Sequence, residues 1–198
     1  LLLGLAVART MVNFTSLGSQ RDNFPVYDPF CGMGSIVGEA YCLGYEAYGS
    51  DIDVQCIAQA KKNIKWLSRQ REFHSQNEPF PENHLFQMDI IHPQPSFVKK
   101  FEGCVVSEPN LLTPKQNYPT LQQARLMMEQ FETNYYAYFQ TISRIIKPGY
   151  AGVIIFPRIH TNQNTRLAFD YQQLLSQFEF KLAKFKINNL TIPSIFVH

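Results

Sequence analysis

What this chain lacks narrows it before any motif is considered. No apolar run approaches the roughly 18 residues that a membrane-spanning helix needs, and the opening apolar stretch 1–8 is cut by Arg9. Neither a membrane span nor a signal peptide fits that pattern, so no membrane partner and a cytoplasmic location are expected. Cysteine is scarce: four residues, Cys31, Cys42, Cys56 and Cys104, form no Cys-x-x-Cys pair. A zinc site wants closely spaced thiolates or imidazoles, and a disulfide framework belongs to chains too small for a core. The histidines at 74, 84, 92, 160 and 198 are scattered. No metal is expected, and the setting reads as reducing and intracellular. An excess of one charge is also missing. A net charge of +2 does not by itself announce a nucleic-acid binder, although another domain can supply that affinity. Repeats and low-complexity segments are absent.

What is present is core. Of the 198 residues, 45% are hydrophobic and 14% aromatic, enough for one domain with a sizeable interior and too little for two. Residues 1–198 are therefore read as one domain. It opens on Leu rather than Met, so it is expected to be a piece of a longer protein.

Apolar positions at near-helical spacing (Leu5, Ala8, Met11, Val12, Leu17) predict a helical lead-in over 1–18, stopped by Gly18. Strands are predicted at 25–27, 45–50, 85–88, 104–107, 151–156, 180–186 and 194–197. Helices are predicted at 35–43, 54–71, about 96–101, about 120–146 with a break near 132–134, and about 165–177. Segments 72–84 and 110–119 read as loops. This alternation predicts an α/β fold: an open, mostly parallel, seven-stranded sheet with helices on both faces. Ligands of such sheets sit beyond the carboxyl ends of the strands, near the point where strand order reverses. Asp28, Asp51, Asp89 and Glu108 all fall at those ends.

The densest signal is Asp28-Pro29-Phe30-Cys31-Gly32-Met33-Gly34-Ser35. Glycine lets a strand-to-helix turn close tightly and lets a ligand approach the main chain, while the unpaired amides of the helix starting at Ser35 suit a polar ligand group. A dinucleotide site reads Gly-x-Gly-x-x-Gly directly after its strand. Here the glycines fall at 32, 34 and 38, and a carboxylate precedes them. That order disfavours a nicotinamide dehydrogenase. It places Asp28 near the cationic amino-acid end of S-adenosylmethionine, Asp51 against both ribose hydroxyls, and Asp89 near the adenine amine, with Ile52 and Met88 lining the ring. The plainer alternative is that strand-end acids cap helices, as Asp51 or Asp53 can do for the helix starting at 54.

At these residues the chain resembles the Rossmann-like methyltransferases, and among them the THUMP-associated tRNA guanine-N2 methyltransferases. The resemblance covers about residues 5–160. It rests on Ala8-Arg9-Thr10-Met11-Val12-Asn13-Phe14, on the segment from Asp28 to Ile36, on Gly49-Ser50-Asp51-Ile52-Asp53, and on Ala60 with Asn63. It implies S-adenosyl-L-methionine as cofactor, held by Asn13, Asp28, Phe30, Gly32, Gly34, Ser35, Asp51, Ile52 and Asp89. It also implies a THUMP-like RNA-binding region preceding Leu1, and tRNA as partner. An activating protein partner is left open. The chain departs from the family at the fourth strand end, where Asp/Asn-Pro-Pro-Tyr/Phe is replaced by Glu108-Pro109-Asn110-Leu111. Glu108, the Pro109 carbonyl and Asn110 are the catalytic candidates: acceptors there can hold amine hydrogens so that the nitrogen lone pair is aimed for in-line transfer. Leu111 replaces the aromatic ring that would stack on a flipped base, and Tyr118 is a substitute later in the loop. That departure keeps two rivals open: a non-catalytic RNA-binding subunit, and a methyltransferase of another nucleic-acid or protein amine. The basic run Lys61, Lys62, Lys65, Arg69, Arg71 reads as a solvated helix face or a phosphate contact, and Lys181, Lys184 and Lys186 repeat the ambiguity. Tyr135, Tyr136, Tyr138 and Phe139 read as packing residues.

Overall fold

The computed structural model describes residues 4–20, 22–70, 79–109, 118–187 and 190–197, with side chains as far as Leu182. Strands β1 (Val26–Asp28), β2 (Ala47–Asp51), β3 (Leu85–Gln87), β4 (Cys104–Ser107) and β5 (Ala151–Ile154) are all parallel. Two strands, β6 (Arg158–His160) and β7 (Arg166–Ala168), form a separate antiparallel hairpin. The last two, β8 (Lys181–Ile187) and β9 (Leu190–Val197), join the main sheet in antiparallel pairing, giving the order β3-β2-β1-β4-β5-β9-β8. Strand order reverses at β1, which pairs with both β2 and β4, so the ligand crevice lies beyond Asp28.

The central parallel strands β1, β4 and β5 are buried on both faces, and their period of two divides the core. Val26, Cys104, Val106 and Val153 point to one side, and Tyr27, Val105 and Ile154 to the other. The first side is covered by α1 (Leu5–Gly18), α2 (Ser35–Cys42) and α3 (Val54–Leu67). The second is covered by α4 (Pro95–Lys100), α5 (Leu121–Ile145) and α6 (Tyr171–Gln177). Helix α1 buries Ala8, Met11, Val12 and Thr15, a single helical stripe. Among the described residues no helix is long and apolar enough to cross a membrane, and no group of His, Cys, Asp or Glu is placed to hold a metal.

Four elements differ from the sequence expectation. The break foreseen near 132–134 does not occur. Met128, Phe131, Tyr135 and Phe139 keep one buried stripe through it, and Gln130 donates to Asn134 on the outer face (3.1 Å). The helix foreseen at 165–177 is only α6, because Arg166–Ala168 pairs with β6 and Asp170 caps the helix start by accepting from the Gln173 amide (3.0 Å). Helix α3 stops at Leu67. Strand β9 begins before Pro193, whose missing N–H is accommodated where the β8–β9 register shifts at Ala183/Lys184.

Candidate active site at the carboxyl edge

The glycine turn is built by packing as much as by torsion. Gly34 sits at φ 89°, left-handed, and a Cβ there would meet the Cβ of Ala60 at 3.3 Å. Asn63, one turn further along α3, donates to the Met33 carbonyl (2.9 Å). Ala60 and Asn63 are thus the two α3 positions that hold the turn down. Gly38 is a packing residue: its Cβ would press on Ile64 and Leu67, both at 3.3 Å. Gly49 has the tightest site of the three. A Cβ there would come within 2.7 Å of Val37 and 2.9 Å of Leu85. These close approaches bring β2 up against the turn.

Asp51 then ties the two together. Its carboxylate accepts from the Gly32 amide (2.9 Å) through Oδ2 and from the Asp53 amide (2.9 Å) through Oδ1. Each oxygen retains further acceptor capacity, and Asp51 is partly exposed. Asp53, not Asp51, caps α3, accepting from the Gln55 amide at 2.8 Å. The competing cap reading of Asp51 is thereby removed. Space is open around Gly32, where no atom lies within 4 Å of an added Cβ. Ile52 follows with 65% of its surface exposed, an uncovered apolar side chain beside two unsaturated acceptors. The start of α2 has no side-chain cap, leaving the first amides of Ser35 and its neighbours open. An apolar ring face, a diol and a polar amino-acid end can all be met here, so these residues fit a nucleoside-type cofactor.

Asp28 is placed differently from its neighbours. It is 2% exposed, and Oδ1 accepts both the Ser107 hydroxyl (2.5 Å) and the Phe30 amide (3.0 Å). Burial pushes its pKa up to about 7, opposed by the Ser107 hydrogen bond; Asp51 and Glu108 add repulsion. Asp28 therefore links the cofactor turn to the end of β4. Phe30 lies edge-on to Tyr138 of α5, with ring centres 4.7 Å apart. Asp89 accepts from the Ile91 amide (2.9 Å) and pairs with His92 Nδ1 (2.9 Å). Its pKa is lowered: burial acts upward, and the His92 and Ile91 hydrogen bonds outweigh it. Met88, expected beside the adenine with Ile52, is 4% exposed and belongs to the core.

Glu108 and Pro109 follow directly on Ser107 at the end of β4. Glu108 is half-buried, and partial loss of water raises its pKa. Asn110 and Leu111 lie outside the described residues, and Tyr118 is 70% exposed. Asn13 is not brought to the site. Helix α1 starts beside Phe156, beyond the carboxyl end of β5, and finishes at its amino end, where Gln20 donates to the Gly149 carbonyl (2.9 Å). At ~1.5 Å per residue Asn13 lies well away from the strand ends, exposed and without a side-chain hydrogen bond among the described residues.

Sequence reasoning missed Ser107, which was detectable as the one hydroxyl closing the apolar run Cys104-Val105-Val106. Tyr138, read as a packing residue, does pack, and only the tertiary fold shows that its partner is Phe30.

No protein-family model matches the chain, and no curated protein matches it in sequence. Solved structures do match in fold. TrmN from Thermus thermophilus aligns with a TM-score of 0.55 at 16% identity, over 98% of this chain and 48% of that one, so this chain spans about half of TrmN. The glycopeptide N-methyltransferase MtfA, solved in complex with S-adenosyl-L-methionine, aligns with a TM-score of 0.57 at 14% identity over 98% of this chain and 84% of its own. The rRNA methyltransferase aviRa from Streptomyces viridochromogenes gives 0.57 at 11% identity, over 98% and 84%. The chain has the Rossmann-like fold of S-adenosylmethionine-dependent methyltransferases.

Proposed function

We infer that the chain is an S-adenosyl-L-methionine-dependent methyltransferase acting on the exocyclic amine of a guanine in tRNA. One observation carries the reading: Asp51 is locked to Gly32 and Asp53, is partly exposed with acceptor capacity to spare, and stands directly before an exposed Ile52. The fold shared with methyltransferases supports the cofactor, and the sequence resemblance supports the tRNA amine.

In this reading Asp51 holds the ribose diol, Ile52 covers one face of the adenine, and Asp89 takes the adenine amine. Ser35 and the first amides of α2 receive the amino-acid end. When bound, the cofactor supplies an activated methyl group. The chain's part is then positioning. Glu108 and the Pro109 carbonyl accept the two amine hydrogens, which turns the nitrogen lone pair toward the methyl and gives the departing proton an acceptor. The raised pKa of Glu108 suits that acceptor role.

Calorimetry against S-adenosylmethionine tests the reading, with a dissociation constant in the micromolar range expected (roughly −8 kcal/mol). Asp51→Ala removes charged acceptors for two hydroxyls and is expected to weaken binding by about 2–3 kcal/mol, on the scale of charge-assisted hydrogen bonds. Unchanged affinity in that variant would overturn the site. Transfer of labelled methyl to unfractionated tRNA, read nucleoside by nucleoside, tests the substrate. Label on protein instead would favour the other-amine reading.

A further inference from the structure

The hairpin β6–β7 is an insertion between β5 and α6, and its two faces are unlike. Register pairs Ile159 with Leu167, and both turn inward, with Ile159 only 7% exposed. On the outer face His160 is paired with Arg166 and Arg158 with Ala168, so Arg158, His160 and Arg166 share one exposed surface. Neither arginine is in an ion pair among the described residues. The nearest acid in sequence, Asp170, is engaged in capping α6.

The hairpin also stands at the right edge of the sheet. It leaves β5 at its carboxyl end, and the Asn162 amide donates to the Pro119 carbonyl (2.9 Å), just before α5. That bond ties the hairpin to the start of α5, whose Tyr138 reaches Phe30 of the glycine turn. Beside the hairpin lies a recess of about 540 Å³, lined by Arg158 together with Phe14, Phe156 and Tyr171. Two exposed arginines on one face, one of them lining a recess that also holds aromatic rings, match a nucleic-acid strand, with phosphates on the guanidiniums and an unstacked base against the rings. An acidic peptide would satisfy the arginines and leave the rings unused.

We propose that the outer face of this hairpin, through Arg158 and Arg166, grips the phosphate backbone of the RNA that enters the site. The proposal rests on the reading of the substrate as RNA, and relocates its contact from the basic run on α3. That run starts near the carboxyl edge but carries its lysines toward the opposite end of the sheet, where Lys65 faces Glu82 at 3.9 Å. The hairpin's substituents are exposed and its inner face is untouched by their removal.

The test is fluorescence anisotropy of the full chain with a labelled tRNA transcript, from low to moderate salt. Arg158→Ala with Arg166→Ala is expected to weaken binding roughly 30-fold near 0.1 M salt and to flatten the logarithmic salt slope by about 1.5, as loss of two phosphate contacts requires. Lys61→Ala with Lys65→Ala is expected to change either by less than about threefold. Calorimetric affinity for S-adenosylmethionine serves as the fold control for all variants. If wild type binds RNA and the double arginine variant binds it equally with the same slope, the hairpin proposal is overturned and the RNA reading stands. If wild type binds cofactor but no RNA even at low salt, the hairpin proposal is overturned, while the RNA reading is decided separately by the methyl-transfer assay. Competition by polyglutamate as effective as by tRNA would assign the face to an acidic protein and overturn the RNA grip.

Discussion

The two halves of the carboxyl edge were assembled by different means. On the cofactor side, β1, β2, α2 and α3 meet through contacts of short reach: Gly34 on Ala60, Asn63 on the Met33 carbonyl, Asp51 on the Gly32 amide. On the other side, Glu108, the start of α5 and the β6–β7 hairpin (the proposed acceptor side) come from segments distant in sequence, and among the described residues the Asn162 amide joins hairpin to helix through the Pro119 carbonyl. The first half is shaped by its backbone. The second offers side chains on a wall that other sequences can rebuild. A fold shared by glycopeptide and rRNA methyltransferases, over nearly the whole of this chain, is consistent with that division.

One residue belongs to both halves, and it carries the largest expected effect. Asp28 sits in the cofactor turn but takes its shortest hydrogen bond from Ser107 at the end of β4. Its folded pKa, raised to about 7 by burial, means the native state holds a proton that the unfolded chain releases at the usual carboxylate pKa. Native protein binds more protons across that window, so this contribution to stability is fully present below about pH 4 and is lost as pH climbs through about 7. Asp28→Asn imitates the protonated form. It should match wild type near pH 4 and exceed it at pH 8 by up to about 4 kcal/mol in urea unfolding. A gap that does not widen with pH would mean that Asp28 ionises freely, and that the two halves are not joined through a buried proton.

Glu108→Ala separates the halves by function. Cofactor affinity is expected to stay within about twofold, because the Asp51 acceptors are untouched. The rate of methyl transfer is expected to fall roughly 100- to 1,000-fold, the scale for one positioned polar group acting on a transition state. Parallel loss of cofactor affinity would move Glu108 to the cofactor side and erase the distinction. Wild type that binds cofactor yet methylates no RNA would favour the non-catalytic rival.

How far each half was legible in the sequence follows the same line. The glycine turn and Asp51 could be read because their partners lie one or two elements away and their spacing is fixed by strand and helix length. Even there Asp28 was read as a ligand contact, since nothing local reveals a partner on β4. Asn13 was placed at the site through resemblance, whereas α1 carries it toward the amino edge. The hairpin escaped altogether. Its strands are three residues each, its outer face is polar, and Leu167, Leu174 and Leu175 (i, i+7, i+8) mimic a helical spacing that the pairing of Arg166–Ala168 overrides. The foreseen break in α5 falls on Glu132, Thr133 and Asn134, where the buried stripe carries the helix through.

The smallest expected effect sharpens the comparison most directly, because it perturbs both halves by the same device. Asp53 caps α3 on the cofactor side, accepting from the Gln55 amide at 2.8 Å. Thr120 caps α5 on the acceptor side, accepting from the Gln123 amide at 3.3 Å while Gln123 returns a bond to the Thr120 amide. Replacing either by Ala should cost about 1 kcal/mol of stability, the usual value of a side-chain cap. The functional readouts should part. Asp53→Ala loosens the backbone whose amide holds Asp51 Oδ1, so it should weaken S-adenosylmethionine binding a few-fold and leave RNA affinity alone. Thr120→Ala frays the start of α5 next to Pro119, to which the hairpin is tied, so it should weaken RNA binding a few-fold with cofactor affinity unchanged. Calorimetry and anisotropy on the two single variants and the double decide the matter. If both variants shift both affinities, or the double departs from the sum of the singles, the edge is one coupled unit rather than a fixed cradle beside a replaceable wall.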